Sequence, residues 1–151
     1  MIFWNNGGSA RSGEGYGDSS SNIVSNLIKH GVPISVYIPD IPEEIKKMDF
    51  GIDYASFSAS NDSPVIVNNC LPEMYVTGSQ YSIGFTYWET TALNPRWVDD
   101  MNKMDEIWTT SEFMKNVFIN SGVHKPVYAF SLGVDPELYS PCKKKPRKKF
   151  T

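Results

Sequence analysis

The stretch GFTYWETTALNPRWVDDMNKMDEIWTTSEFMKNVF, residues 84–118, decides the fold. The run SIGFTYW, 82–88, is dense in β-branched and aromatic residues and reads as a strand ending on Trp88 and Glu89. Asn94 before Pro95 fits the N-cap and first position of a helix, because the asparagine side chain accepts from an orphan amide and proline has none to leave unpaired. Along that helix Trp97, Val98, Met101 and Met104 fall on one side. EIWTT, 106–110, predicts a short second strand. Ser111 then caps a helix that carries Phe113, Met114, Val117 and Phe118 and stops at Gly122.

The same alternation extends towards both ends. PVYAF, 126–130, reads as a last strand, and MIFWN, 1–5, as a first one. Between MIFWN and the next periodic segment lies GGSARSGEGYGDSSS, 7–21, read as a loop with five glycines and five serines. NIVSNLIKHG, 22–31, sets Ile23, Val24, Leu27 and Ile28 on one helical face, with Gly31 as the residue that ends the helix. ISVYI, 34–38, is a strand stopped by PDIPEE, and PVIVNNC, 64–70, is a buried strand after the loop ASFSASNDS. No helix is placed between 41 and 80. Strands alternating with helices predict a Rossmann-like, three-layer α/β/α domain with a mostly parallel sheet of about six strands.

Composition sets the outer limits. A chain of 151 residues, 40% apolar and 13% aromatic, has material for one sizeable core, which excludes disorder throughout. Its apolar runs fall short of the roughly 18 residues of a membrane span, and MIFWNNGG has no basic region followed by an apolar one. A soluble, cytoplasmic protein without a transmembrane segment is the expectation. Cys70 and Cys142 show no C-x-x-C spacing and are expected to be reduced thiols. Six of the 14 basic residues sit in KKKPRKK, 143–149, so residues 1–142 hold eight basic against 17 acidic side chains, a net of −9. An acidic body argues against nucleic acid, which needs a basic surface. The basic tail reads as a solvated linker, with a nuclear address or a peripheral, polybasic membrane contact as alternatives.

The chemistry-bearing residues cluster at predicted strand ends. Gly7, Gly8, Gly13, Gly15 and Gly17 follow the first strand, where α/β domains bind ligands; they let backbone amides approach a phosphate or sugar, with Arg11 available to an anion and Tyr16 in the same run. GEGYG does not match G-x-G-x-x-G, and a glycine-rich turn without a ligand is the plainer alternative. Asp40 sits just past the second strand, where a dinucleotide fold often places a ribose-binding acid. In a parallel sheet Trp88 and Glu89 share an edge with the glycine loop, and there an indole stacks on a sugar face while a carboxylate accepts from hydroxyls. Trp88 equally suits a core, whereas a carboxylate after an apolar strand must be solvated or paired. Asn68 and Asn69 offer amides at that edge or serve as turn residues, and Glu112 suits the start of a helix electrostatically. His30 and His124 stand apart from any carboxylate or cysteine group, so a metal site has no support, and no G-x-S-x-G elbow appears.

Residues 87–141, YWETTALNPRWVDDMNKMDEIWTTSEFMKNVFINSGVHKPVYAFSLGVDPELYSP, resemble the N-terminal half of a group 1 (family 4) glycosyltransferase of the two-Rossmann-domain GT-B type. The likeness lies in Trp-Glu followed by a Pro and Trp helix, then DEIW, a Ser-x-Phe helix, SGV, PV and a Gly-Val-Asp turn running to Tyr-x-Pro; GGSARSGEGYG is similar to the family's glycine loop. The resemblance implies that residues 1–141 form the acceptor-side domain, binding a sugar or glycan acceptor, and that 142–151 are a basic linker and the start of a C-terminal domain holding a UDP- or GDP-sugar. Gly8, Gly13 and Gly15 would border the cleft, Trp88 and Glu89 would face it, and Ser111 would open a cleft-lining helix that includes Glu112. Glu89 is then the candidate to contact or deprotonate the acceptor hydroxyl, in a hexosyl transfer with retention. The family's E-x7-E motif is missing, since no two glutamates lie eight positions apart, so the chain by itself is expected to be an inactive fragment that carries no cofactor of its own. A non-catalytic sugar- or nucleotide-binding module and an NAD-binding Rossmann fragment are the alternatives.

Overall fold

The computed structural model describes residues 1–7, 15–39, 53–54, 62–137 and 139–141. Among them, seven strands form one sheet: β1 (Ile2–Asn5), β2 (Ile34–Tyr37), β3 (Asp53–Tyr54), β4 (Val65–Asn69), β5 (Tyr81–Phe85), β6 (Glu106–Thr109) and β7 (Val127–Ala129). Their order is β3-β2-β1-β4-β5-β6-β7, and every pairing is parallel. The chain therefore works outward from β1 on one side, then restarts beside β1 with β4 and works outward on the other. That reversal is the topological switch point of an open α/β sheet. β3 is the strand missing from the sequence reading, and its two residues are too few to leave a periodic pattern.

The helices α1 (Gly15–Lys29), α2 (Pro95–Met101) and α3 (Glu112–Asn120) cover the two faces. Because side chains alternate along a strand, Trp4, Val36, Val67, Ile83 and Phe85 meet Val24 of α1 on one face. On the other, Ile107 and Val127 pack with Met101 of α2 and Val117 and Phe118 of α3. This is a three-layer, Rossmann-like α/β domain. Among the described residues no helix is long and apolar enough to cross a membrane.

The helix ends follow local chemistry. Asn94 accepts from the Arg96 amide at 3.1 Å with Pro95 next, and Ser111 Oγ accepts from the Met114 amide at 3.2 Å. α1 and α3 end on glycines at positive φ, Gly31 at 76° and Gly122 at 108°. In each case the following amide reaches back to close the last turn, Val32 to the Leu27 carbonyl and Val123 to that of Phe118. Met104, expected on the second helix, lies beyond its end at Met101 but is fully buried in the same core.

The start of α1 corrects the loop expected over 7–21. The helix begins at Gly15 rather than Asn22, so Gly15 and Gly17 are helical. GYGDSSS is a poor helix former by propensity, and tertiary bonds override that preference. Ser20 Oγ accepts from both Trp4 Nε1 at 3.1 Å and Asn69 Nδ2 at 2.8 Å. Ser21 and Asn22 turn their side chains back onto the carbonyls of Gly17 and Asp18, which satisfies them without breaking the helix.

Candidate functional site

Parallel strands bring their carboxyl ends to one rim, and the two that flank the switch point both end in paired asparagines. Asn5 and Asn68 are register partners, and Asn5 Nδ2 donates to Asn68 Oδ1 at 2.8 Å. Asn68 also accepts from the Val76 amide at 2.7 Å and donates to the Val76 carbonyl at 3.1 Å. With no solvent exposure, this side chain holds the rim together from below; the expectation that it would offer its amide to a ligand gives way to that internal role. Asn6 and Asn69, one position further on, are also buried, yet each keeps an Oδ1 with no hydrogen-bond partner among the described residues. At Gly7 a Cβ would fall 2.9 Å from Cys70 Cβ, so only glycine lets these two chain segments pass so closely.

The first turn of α1 is fastened to the segment that follows β5. Tyr16 Oη lies 2.7 Å from Thr86 Oγ1 and accepts from the Tyr87 amide at 3.3 Å, while Tyr87 Oη donates to Ser19 Oγ at 2.8 Å. The Tyr16 and Tyr87 rings are 4.9 Å apart and tilted. Burial pushes both phenols above their ordinary range, does the same more strongly at Tyr75, and lifts the Cys70 thiol to about 12. These groups stay neutral at physiological pH. The described part of the rim's buried edge thus offers hydroxyls and amides but no thiolate or phenolate nucleophile.

β5 stops at Phe85, so Trp88 and Glu89 lie on the extended segment beyond it rather than at the strand's last residues. The half-buried Trp88 meets Trp97 edge-on, with centroids 4.7 Å apart, and donates its indole N–H to the Ala92 carbonyl at 2.9 Å. Trp97 Nε1 in turn donates to Glu73 Oε2 at 3.0 Å. Glu89 is exposed and makes no hydrogen bond or ion pair with the described residues. Ser111 and Glu112 follow β6 on the same rim; Ser111 is committed to its cap, and exposed Glu112 faces Lys115 at 3.8 Å. Thr109 Oγ1 donates to the Thr86 carbonyl at 3.1 Å and so ties the ends of β6 and β5.

Of the residues singled out in the sequence, Gly15, Tyr16, Asn68, Trp88, Glu89, Ser111 and Glu112 sit at this one end of the sheet; Gly8, Arg11, Gly13 and Asp40 lie outside the described residues. A Cβ on Gly15 would touch nothing within 4 Å, so packing does not demand glycine there. The sequence reading passed over Asn6, Ser19, Ser20, Thr86 and Tyr87. One signal was present: Asn-Asn closes both MIFWNN and VIVNN, the two strands that border the switch point.

The strand order and the composition of the rim define an α/β domain of Rossmann-like build. Compared with models of known protein families and with curated protein sequences, the chain has no match.

Proposed function

We propose that the chain is the acceptor-side domain of a glycosyltransferase, which in a two-domain enzyme moves a hexose-like unit from a UDP- or GDP-sugar to a glycan or other hydroxyl acceptor. The observation that supports this best is the 2.7 Å contact between Tyr16 and Thr86, since it joins the end of the glycine-rich run to the segment carrying Trp88 and Glu89. The described part of that rim is rich in acceptors, including the free Glu89 carboxylate and the unpaired amide oxygens of Asn6 and Asn69 beneath it. A polyhydroxylated ligand, which brings donors, suits such a set better than an anion does. In this reading Glu89 accepts from the acceptor hydroxyl and takes up its proton as the new glycosidic bond forms and the sugar's bond to phosphate breaks, with UDP or GDP as the leaving group. The charge that develops on the donor sugar is met by the other domain across the cleft.

A second reading has its own support, because the order β3-β2-β1-β4-β5-β6 is also that of dinucleotide-binding domains. Parallel titrations of the 151-residue chain with methyl glucoside, UDP-glucose and NAD, followed by amide NMR, separate the two. The glucoside is expected to shift the amides of residues 86–89 and of the first turn of α1. Glu89→Gln should weaken that binding about tenfold, the loss of one charge-assisted hydrogen bond. If NAD binds more tightly than either sugar compound, the dinucleotide reading replaces this one. If Glu89→Gln leaves glucoside affinity unchanged, Glu89 has no part in acceptor binding.

A further inference from the structure

On the face covered by α2 and α3, loop residues 91–93 and the facing ends of the two helices border a cavity of about 400 Å³. Its apolar lining is Ala92, Leu93, Pro95 and Val98, with Leu93 anchored by its amide to Ser121 Oγ at 3.1 Å. The charge in the lining has one sign. Asp99 presents a carboxylate that has no hydrogen-bond or ion-pair partner among the described residues, and no lysine or arginine lines the cavity. α3 also ends here, at Asn120. The carbonyls of Val117, Phe118 and Ile119 are taken by the amides of Ser121, Val123 and Gly122, whereas that of Asn120 receives no backbone donor among the described residues. A helix end of this kind carries a partial negative charge, which adds to that of Asp99.

We infer that this cavity binds a primary ammonium group carried on a short apolar carbon skeleton. The volume falls within the ~300–1,000 Å³ of small-molecule sites, and Leu93, Pro95 and Val98 supply the surface that a carbon chain needs. An anion would meet Asp99 and the α3 terminus with like charge. A neutral apolar molecule would make no use of the Asp99 carboxylate, whose cationic neighbour Lys103, one turn on, is outside the lining. A metal ion would lack ligands, because among the described residues no three His, Cys, Asp or Glu side chains come together. The lining shares no residue with Tyr16, Thr86 or Glu89, although it starts two residues past Glu89 and includes Ala92, the acceptor for Trp88; the amine test and the glucoside test read different residues.

The test is an amide NMR titration of the chain with hexylammonium, 1-hexanol and hexanoate, which share one carbon skeleton and differ in charge. Hexylammonium is expected to shift the amides of Leu93, Val98, Asn120 and Ser121 saturably, with the neutral alcohol at least about tenfold weaker. Asp99→Asn, at an exposed position of α2, should keep the dispersed spectrum of the folded protein and reduce hexylammonium affinity about tenfold. Added salt should weaken binding to the wild type and leave the variant nearly unaffected. Equal affinity for the amine and the alcohol, unchanged affinity in Asp99→Asn, or shifts confined to other residues would each overturn the assignment.

Discussion

Asn68→Ala is expected to lower the stability of the domain by about 4 kcal/mol, more than truncating a side chain of its size would suggest, because the loss falls on its partners. Its Oδ1 is the acceptor for Asn5 Nδ2 and for the Val76 amide, and its Nδ2 donates to the Val76 carbonyl. Alanine leaves those groups with nothing in its place, and each unmet buried polar group costs on the order of 1–3 kcal/mol. Asn5 keeps a partial substitute in the Met74 carbonyl at 3.2 Å, so Val76 bears most of the loss. Urea unfolding of wild type and variant measures the difference. A variant within about 1 kcal/mol of wild type would mean that water or relaxation replaces these bonds. Asn68→Asp supplies a control with almost the same shape. It keeps the acceptors but sets a carboxyl oxygen against the Val76 and Ile83 carbonyls, where only its protonated form has a hydrogen to donate. Burial should raise the folded-state pKa of that carboxyl, so this variant should be most stable below the unfolded carboxyl pKa and lose stability as pH rises through the folded one.

Gly84→Val should destabilise by about 3 kcal/mol, and Gly84→Ala by about 2, through overpacking of a filled core. Strand propensity alone gives the opposite sign, since valine is favoured and glycine disfavoured inside a strand. The space decides. A Cβ at Gly84 would come within 2.5 Å of Tyr75 Cε2, 2.8 Å of Tyr75 Cζ and 2.9 Å of Ile107 Cδ1. Ile107 is fully buried, and Tyr75, though partly exposed, has its hydroxyl buried, so the ring must shift that end to make room. Chemical denaturation reads the change, and pairing Gly84→Ala with Tyr75→Leu should recover part of it. A stabilised Gly84→Val, or additive losses in the double variant, would show that the ring moves aside freely.

What could be read ahead of the structure was whatever short-range chemistry decides. Asn94 and Pro95, Ser111, Gly31 and Gly122 each act through a side chain or dihedral within a few residues, and all four helix boundaries they imply are found. The beginning of α1 was hidden because Trp4 and Asn69, far off in the chain, are what hold Ser20 in a helix. Alternation of strands and helices gave the parallel sheet, but nothing local states that β4 returns to lie beside β1. On the rim, Glu89 stood out as a charge after an apolar run. Thr86, Tyr87 and Ser19 did not, since hydroxyls near a strand end carry no pattern until Tyr16 folds over them.

The adjacency of β1 and β4 also bears on how the chain reaches this state. The Asn5 to Asn68 contact spans 63 residues, whereas β5, β6 and β7 are each laid beside the strand that precedes them in sequence. Closing the longer loop costs more chain entropy before any contact rewards it, so the C-terminal strands should gather first and β1 should dock late. Kinetic φ-values measured on core substitutions should then be high in β5 and β6 and low in β1; the reverse gradient would assign nucleation to the amino-terminal strands.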